Sequence, residues 1–128
     1  MAYPTNFKYT KDHEWAELLS PTQIRIGITD HAQNSLGDIV YLDLPKVGRD
    51  LKEHETFGVV ESIKAVSDLF SPVAGKVVQI HSDLVAEPAK INTEPHKQWM
   101  IVIETDNAKA QFEALMDASA YEAFTKTL

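Results

Sequence analysis

Five histidines are the residues whose type first suggests chemistry, because imidazole binds metals and exchanges protons near neutral pH. They are His13, His31, His54, His81 and His96. None lies four residues from another, and no His-Glu-x-x-His occurs, so the spacing of a helical metal-binding pair is missing. His13 and Glu14 are neighbours, but adjacent strand residues point to opposite faces. We therefore expect no metal site, and we interpret the histidines as surface or structural residues.

Nucleophilic catalysis has no motif to support it. The chain contains no cysteine, which excludes a thiolate nucleophile, a disulfide framework and a cysteine-bound metal. Its five glycines, at positions 27, 37, 48, 58 and 75, form no Gly-x-Ser-x-Gly elbow and no phosphate-binding loop. The 19 acidic residues allow many carboxylate pairs, but spacing marks none of them. Enzymatic activity therefore has little support in the sequence.

Lys64 lies between two apolar residues, Ile63 and Ala65. On its own such a lysine is ordinarily a solvated cation with a packed aliphatic stem. Its surroundings are more specific: they read Glu-Ser-Ile-Lys-Ala-Val-Ser-Asp over 61–68, followed by Ser-Pro-Val-Ala-Gly over 71–75. This stretch resembles the attachment hairpin of the H protein of the glycine cleavage system, in which Glu-Ser-x-Lys-Ala-x-Ser-Asp and Ser-Pro-x-x-Gly recur.

The resemblance extends over nearly the whole chain. Residues 8–15 are similar to the family's opening Lys-Tyr-x-x-x-His-Glu-Trp. Further similar blocks follow in register at 27–33, 36–40, 44–48, 91–95 and 115–122. Several ordered motifs of this kind do not arise by chance, so the chain is identified as a member of the family.

Three features depart from the family pattern. Lys90 stands where a leucine is common, and His81 where an asparagine is common. The stretch 95–99 reads Pro-His-Lys-Gln-Trp, one residue short, without the usual Tyr and Gly. We expect these departures to alter the loop at 96–98 and any partner contact it makes, but not the lysine hairpin.

The resemblance implies that the protein is a carrier with lipoic acid attached to Lys64 through an amide. Such a carrier shuttles the aminomethyl group of glycine from glycine decarboxylase (P protein) to aminomethyltransferase (T protein). Its dithiol is reoxidised by dihydrolipoyl dehydrogenase (L protein), and a lipoylating enzyme attaches the arm. The cofactor supplies the reactive atoms, so the carrier needs no active site of its own.

Four further residues take roles from the same resemblance. Glu14 and Asp68 match positions that line the resting cleft of the arm, where a carboxylate can pair with a protonated aminomethyl group. Glu61, Ser67 and Asp68 lie close to Lys64 in sequence, and we expect the lipoylating enzyme to read this stretch. The alternative for each acid is an ordinary surface carboxylate.

The strands expected to position these residues follow from hydrophobic alternation. Ile24, Ile26 and Ile28 share one face of a strand over 22–28. The stretch 39–44 is apolar on nearly both faces, as a sandwich-core strand would be, and Pro45 ends it. Further strands are predicted at 14–19, 75–80 and 99–104.

Helical signals mark one internal segment and the C-terminal tail. Asp30 is predicted to cap a short helix that Gly37 ends. An apolar stripe of Phe112, Leu115 and Met116 predicts a helix near the C-terminus. A capping box at 119–122 predicts a second helix, so the C-terminal helices occupy about 107–126.

The lysine segment is where periodicity and resemblance disagree. Val59, Ile63, Val66 and Phe70 recur at helical spacing, and no Gly, Asn or Pro marks a turn between Gly58 and Pro72. The resemblance instead implies a hairpin over about 57–70 with the lysine at its tip. The expected fold is mainly β: a single lipoyl-carrier domain over 1–128, a lipoyl/biotinyl-type flattened barrel-sandwich of two antiparallel sheets. A short internal helix and a helical C-terminal tail complete it.

Charge and hydropathy limit the partners and the location. A formal charge of −7 argues against nucleic acid and anionic membranes, which both require clustered Lys and Arg. No run approaches the roughly 18 apolar residues of a membrane helix, and the N-terminus has no signal-peptide pattern. We expect a monomer in the bacterial cytoplasm, or in the mitochondrial matrix if a transit peptide has been removed.

Other functions remain open at this point. A lipoyl domain of a 2-oxo acid dehydrogenase complex would typically show Asp-Lys-Ala and a flexible linker, and a biotin carrier Met-Lys-Met. A lipoate-relay carrier outside glycine cleavage would keep the same lysine. An unmodified binding module or a small hydrolase would not require it.

Overall fold

The computed structural model describes residues 3–128, which form nine strands and five helices. The strands are β1 Phe7–Tyr9, β2 Glu14–Ser20, β3 Gln23–Ile28, β4 Ile39–Asp43, β5 Asp50–Leu51, β6 Thr56–Ser62, β7 Val66–Phe70, β8 Gly75–Ile80 and β9 Ile101–Glu104. The helices are α1 Asp30–Leu36, α2 Ser82–Ala86, α3 Lys90–Thr93, α4 Ala108–Glu113 and α5 Ala118–Thr125.

Two antiparallel sheets make up the body of the molecule. The larger sheet has the strand order β1-β2-β3-β9-β8-β5, and the smaller has the order β4-β6-β7. The main core brings together the buried faces of both, including Ile24 and Ile26 from the larger sheet and Leu42 and Val60 from the smaller. The predicted two-sheet, mainly β fold is confirmed, and the two sheets do not close into a continuous barrel.

An aromatic cluster at one end attaches the C-terminal tail. It contains Phe7, Tyr9, Trp15 and Tyr121. The rings of Tyr9 and Tyr121 stack with centroids 4.8 Å apart, and Phe7 stacks on Trp15 at 4.5 Å. Because Tyr121 comes from α5, this cluster fixes the tail against β1 and β2.

The expectation that residues 39–44 are buried on both faces is wrong. Ile39 and Leu42 are buried, but Val40 and Tyr41 are 57% and 47% exposed. A register irregularity between Ile39 and Tyr41 interrupts the alternation along β4. The smaller sheet contributes only its inner face to the core, so an apolar side chain on its other face stays in solvent.

The internal helix forms where predicted, but with a different cap. Thr29, not Asp30, is the N-cap: its hydroxyl oxygen accepts from the backbone N–H of Ala32 at 3.2 Å. Asp30 is the first helical residue and accepts instead from the side-chain amide of Gln33 at 2.9 Å. Gly37 ends the helix with φ 82°, as expected for a residue free to adopt positive φ.

The C-terminal helices are shorter than the predicted stripe. Helix α4 ends at Glu113, so Leu115 and Met116 lie outside it. Met116 instead exchanges two backbone hydrogen bonds with Tyr9, at 2.8 and 3.0 Å. Asp117 caps α5 by accepting from the backbone N–H of Ala120, so the predicted capping box at 119–122 is wrong.

Four short elements were not predicted: β1, β5, α2 and α3. Each is only two to five residues long, which is too short for a periodic pattern to emerge. Helices α2 and α3 fill the connection between β8 and β9, and they contribute Leu84 and Ile91 to the core.

Candidate functional site

The lysine segment is a β-hairpin, and Lys64 lies exposed in its turn. Strands β6 and β7 pair from Thr56↔Phe70 to Glu61↔Val66, which confirms the hairpin over the helical periodicity. Cross-strand pairing and burial of Phe57, Val60 and Leu69 hold this segment extended.

Ser62 makes the turn that glycine, asparagine or proline usually make. Its backbone N–H donates to the carbonyl of Ala65 at 2.8 Å. Its hydroxyl oxygen accepts from the backbone N–H groups of Lys64 at 3.3 Å and Ala65 at 3.1 Å. A serine hydroxyl can accept hydrogen bonds from backbone N–H groups and so stabilise a turn. Ser62 was therefore a turn signal that the sequence already contained.

The end of α1 supports the turn from outside the hairpin. The backbone N–H of Ile63 donates to the carbonyl of Asp38 at 3.0 Å. A Cβ added at Gly37 would lie 3.4 Å from Cε of Lys64, so the glycine leaves the lysine stem a surface free of side chains.

Asn92 ties this support together and was missed as a positioning residue. Its side-chain amide donates to Gln33 Oε1 and to the carbonyl of Gly37, both at 2.9 Å. Its Oδ1 accepts from the backbone N–H of Ile39 at 2.9 Å. One side chain thus joins α3, the end of α1 and the start of β4 beside the lysine turn.

Glu14 is a buried acid, so the alternative of an ordinary surface carboxylate is wrong for it. It is 2% exposed, and the hydroxyl of Thr10 donates to its Oε1 at 2.7 Å. Burial raises the pKa of Glu14 to about 7, although hydrogen bonds from Thr10 and the backbone of Phe70 oppose the rise. The contact with Phe70 brings this carboxyl to the end of β7.

A surface cavity of about 210 Å³ is lined in part by the loop between β1 and β2, which precedes Glu14. Its lining includes Thr10, the residue that donates to Glu14, together with Asp12 and His54. Tyr9, Lys11 and the segment 114–116 complete the wall. Glu14 itself is not among the lining residues, and Lys11 and Asp12 place one basic and one acidic side chain in the wall.

The other three candidate site residues, Glu61, Ser67 and Asp68, differ in exposure and in the face of the sheet they occupy. Asp68 is exposed, and Glu61 is half-buried. Ser67 pairs with Val60 on the inner face of the smaller sheet, so it points away from the face that carries Asp68. Among the described residues, Asp68 and Glu14 share no hydrogen-bond partner. The structure thus brings Glu61 and Asp68 onto one face of the smaller sheet, and the Glu14 carboxyl contacts the backbone of Phe70, two residues from Asp68.

Three of the five histidines connect different elements of the fold. His13 Nδ1 lies 2.7 Å from the hydroxyl of Tyr121, and the same hydroxyl lies 2.8 Å from Thr29 Oγ1. His96 Nε2 accepts from the backbone N–H of Asp30 at 3.1 Å, and burial lowers the pKa of this imidazole. His81 Nδ1 lies 2.6 Å from the carbonyl of Trp99.

The altered loop at 96–98 is therefore anchored. The indole N–H of Trp15 donates to the carbonyl of Pro95 at 3.0 Å, next to the His96 contact with α1. Within residues 3–128, no group of three or more His, Cys, Asp or Glu side chains is arranged to hold a metal ion. None of the helices in that range is long and apolar enough to cross a bilayer.

Comparison with known proteins agrees with this geometry. The family model described as "Glycine cleavage H-protein" matches residues 7–128. The chain belongs to the glycine cleavage H-protein family. The H protein of Acidobacterium capsulatum is 52% identical over 126 residues, covering 98% of this chain and 96% of that protein. The H protein of Koribacter versatilis is 51% identical over 124 residues, covering 97% of this chain and 94% of that protein.

A crystal structure of an H protein shows the same fold. The glycine cleavage system H protein of Mycobacterium marinum superposes with a TM-score of 0.88 at 34% identity. The match covers 97% of this chain and 99% of that one. These bacterial relatives give no support to the mitochondrial alternative.

Proposed function

We propose that this protein is the lipoylated carrier of a glycine cleavage system and that Lys64 is its single attachment site. The observation that supports this most directly is the position of Lys64, exposed in a turn held by Ser62 and by Asp38 within the family motif. A modifying enzyme must reach the ε-amine, and a supported, protruding turn presents it without unfolding the strands.

The residues present fit a lipoyl amide. The lysine stem runs over Gly37, where there is no side chain to obstruct a longer arm. When bound, the lipoyl group supplies a disulfide that accepts the aminomethyl group of glycine and a dithiol that is oxidised afterwards. The protein contributes the tether and the support of the turn.

We assign Glu14 the role of pairing with the cationic amine of the loaded arm. With a pKa of about 7, its carboxyl is near half-ionisation at neutral pH, and an ammonium group close by would favour the carboxylate. A buried charge-assisted hydrogen bond is stronger than a solvated one. The negative charge of Asp12 also raises the pKa of Glu14, so a cation beside the two acids would be favoured.

The proposed partners are the P, T and L proteins of glycine cleavage and a lipoylating enzyme. We propose a monomeric, non-catalytic carrier in the cytoplasm of a bacterium, forming one carrier domain over 1–128. The chemistry is divided among the partners, so this chain needs only to present one arm to each of them.

The test is the intact mass of protein made in cells supplied with lipoate. Wild type should gain the mass of one lipoyl group, and Lys64→Arg should gain none. Lys52→Arg and Lys76→Arg, which also replace exposed lysines, should be modified like wild type. A lipoylated Lys64→Arg protein would refute the assignment. A lipoylated carrier that supports no glycine cleavage with the P, T and L proteins would favour the lipoate-relay role instead.

A further inference from the structure

The hydroxyl of Tyr121 completes a chain of three side chains where α5 meets the body of the molecule. Thr29 Oγ1 lies 2.8 Å from this hydroxyl, and His13 Nδ1 lies 2.7 Å from it. One set of directions satisfies every group: Thr29 donates to Tyr121, and Tyr121 donates to a neutral His13. The Thr29 oxygen meanwhile accepts from the backbone N–H of Ala32. A neutral imidazole is thus part of the contact that holds α5.

Protonation of His13 reverses this chain. Both ring nitrogens of an imidazolium are donors, so Nδ1 can no longer accept from Tyr121. The phenol must then donate to Thr29, and the Thr29 hydroxyl proton is left without an acceptor among the contacts of residues 3–128. Thr29 is fully buried, and a buried donor without a partner is unfavourable. The closed chain therefore favours neutral His13.

A second imidazole lies against the first. The rings of His13 and His31 stack with centroids 4.4 Å apart. Nδ1 of His31 is buried without a hydrogen-bond partner, so the proton that an imidazolium carries there would have no acceptor. Two imidazolium rings at this separation would also repel each other. The geometry opposes protonation of either ring, and it opposes protonation of both more strongly.

The charges closest to His13 do not offset this effect. Burial and the neighbouring imidazole lower the pKa of His13, and the opposing effect of Asp12 is the smallest of the three. On the α5 side, His13 stacks on the ring of Phe124, and the ammonium of Lys11 lies 5.8 Å from the centroid of the same ring. A protonated His13 would therefore meet a second cation in that direction.

The remaining titratable groups nearby lie on α1, on α5 and in the segments that follow. Asp30 of α1 and Glu122 of α5 are not among the groups that shift the pKa of His13. His96 accepts from the backbone N–H of Asp30, and burial lowers the pKa of His96 as well. Glu14, with its pKa of about 7, loses its negative charge as the pH falls below neutral. Neither helix thus supplies a counter-charge for a protonated His13.

We propose that His13 and His31 form a pH-sensitive latch that holds α5 against the body at neutral pH and releases it as both rings protonate. Release withdraws Tyr121 from the cap of α1 and from the loop before Glu14, while the two sheets stay folded. An imidazole outside the fold has a pKa of about 6.5, so the stability that the latch contributes is present above that pH and is lost below it. The latch needs no lipoyl group and does not depend on the function proposed above.

The experiment measures amide-exchange protection of α5 in the full chain at pH values of about 7.5 and 5.5, one unit above and below the ordinary histidine pKa. Protection factors correct for the intrinsic pH dependence of exchange, so they report local opening of the helix. Each imidazole that is neutral only in the closed state favours opening about tenfold at the lower pH. Protection over 118–125 should therefore fall about ten- to a hundredfold, while that of β8 and β9 stays unchanged.

The variants keep the packing and remove the charge. His31→Phe retains a ring against His13 and gives up a nitrogen without a partner, so only the loss of protection at low pH should shrink. His13→Asn suits the positive φ of 67°, and its amide oxygen can accept from Tyr121 without titrating. The double variant should show no loss at low pH. His54→Asn, at an exposed histidine with φ 68°, is the matched control and should behave as wild type.

A second readout follows the titration of each imidazole by NMR. In wild type, His13 should titrate at a lower pH than the exposed His54. In His31→Phe the midpoint of His13 should rise, because the neighbouring charge is gone. An unchanged midpoint would show that His31 only packs against His13, and it would overturn the paired latch.

The protection factors can contradict the latch in three ways. Unchanged protection of α5 at the lower pH would overturn it. A loss spread equally over α5 and both sheets would show global acid unfolding and would overturn it as well. A double variant that loses as much protection as wild type would assign the titration to another group, with the same consequence. None of these outcomes bears on lipoylation of Lys64, which is read from the intact mass.

Discussion

At the residue scale, Glu14 is a buried carboxyl group that accepts hydrogen bonds but has no cation beside it among the described residues. The Thr10 hydroxyl and the Phe70 backbone donate to it, but no cation lies among the groups that shift its pKa. An isolated buried carboxylate is unfavourable, so the folded protein holds the proton of Glu14 more tightly than the unfolded chain does. A cation that contacts the carboxyl group would remove this imbalance.

We predict that Glu14→Gln stabilises the protein at neutral and alkaline pH. The pKa is about 7 in the folded state against 4.5 for the free side chain, so wild type loses stability as pH rises through that interval. The neutral amide avoids this loss, and its oxygen can still accept from Thr10. The gain in unfolding free energy should grow from pH 4.5 to 7 and reach about 1–3 kcal/mol.

The measurement is urea unfolding of both proteins across that pH range. Taking the difference at each pH cancels the opposite trend from His13 and His96, whose lowered pKa values make the fold more stable as pH rises. The same substitution at the exposed Glu104 is the control. A gain that does not change with pH would show that folding leaves the pKa of Glu14 unchanged.

At the element scale, the lysine hairpin depends on a turn without glycine. Ser62 supplies the acceptor for two backbone N–H groups while its own backbone N–H closes the turn onto Ala65. The bond from Ile63 to Asp38, together with Asn92, links that turn to α1. The lysine is therefore exposed, but its backbone is held on two sides.

We predict that Ser62→Ala lowers the unfolding free energy by about 1–2 kcal/mol and loosens the turn. The side chain is 9% exposed, and its loss leaves the N–H groups of Lys64 and Ala65 without their acceptor. Amide exchange at these two residues should accelerate. Ser67→Ala, in the same hairpin but bonded only weakly at 3.4 Å, is the matched control. Equal effects of the two substitutions would contradict the role given to Ser62.

At the scale of the whole molecule, the hydroxyl group of Tyr121 links α5 to α1 and to the loop before β2. The hydroxyl of Tyr121 contacts Thr29, which caps α1, and His13, which precedes Glu14. Its ring is fully buried in the aromatic cluster. The tail thus braces both α1 and the loop before β2.

We predict that Tyr121→Phe destabilises the fold by about 1–3 kcal/mol with the ring still packed. Removing the hydroxyl leaves the Thr29 and His13 side chains without a shared partner in a buried position. Tyr41→Phe, which removes a hydroxyl from an exposed ring, should change stability by less than about 0.5 kcal/mol. Thermal and urea unfolding of the two variants gives the comparison. Similar losses of stability in both would show that the contacts of the Tyr121 hydroxyl with Thr29 and His13 do not stabilise the fold.

Several elements could be predicted from the sequence because a few neighbouring residues specify each of them. The alternation of Ile24, Ile26 and Ile28 predicts β3, and Gly37 predicts the end of α1. The predicted N-caps, Asp30 and Ser119, were wrong by one and two residues. The true N-caps are Thr29 and Asp117, and residues 30 and 119 are also of types that can cap a helix. The hairpin, by contrast, came from the family motif and against helical periodicity.

The sequence alone determined the family, and through it the proposed attachment residue, because both depend on short ordered strings that need no contacts to recognise. Only the tertiary structure decided which side chains are buried. It placed Glu14 in the interior and left Val40 and Tyr41 in solvent, although composition suggests the reverse. The reason is physical: burial depends on which face of a strand another layer covers, and that is fixed by the packing of the two sheets, not by the strand itself.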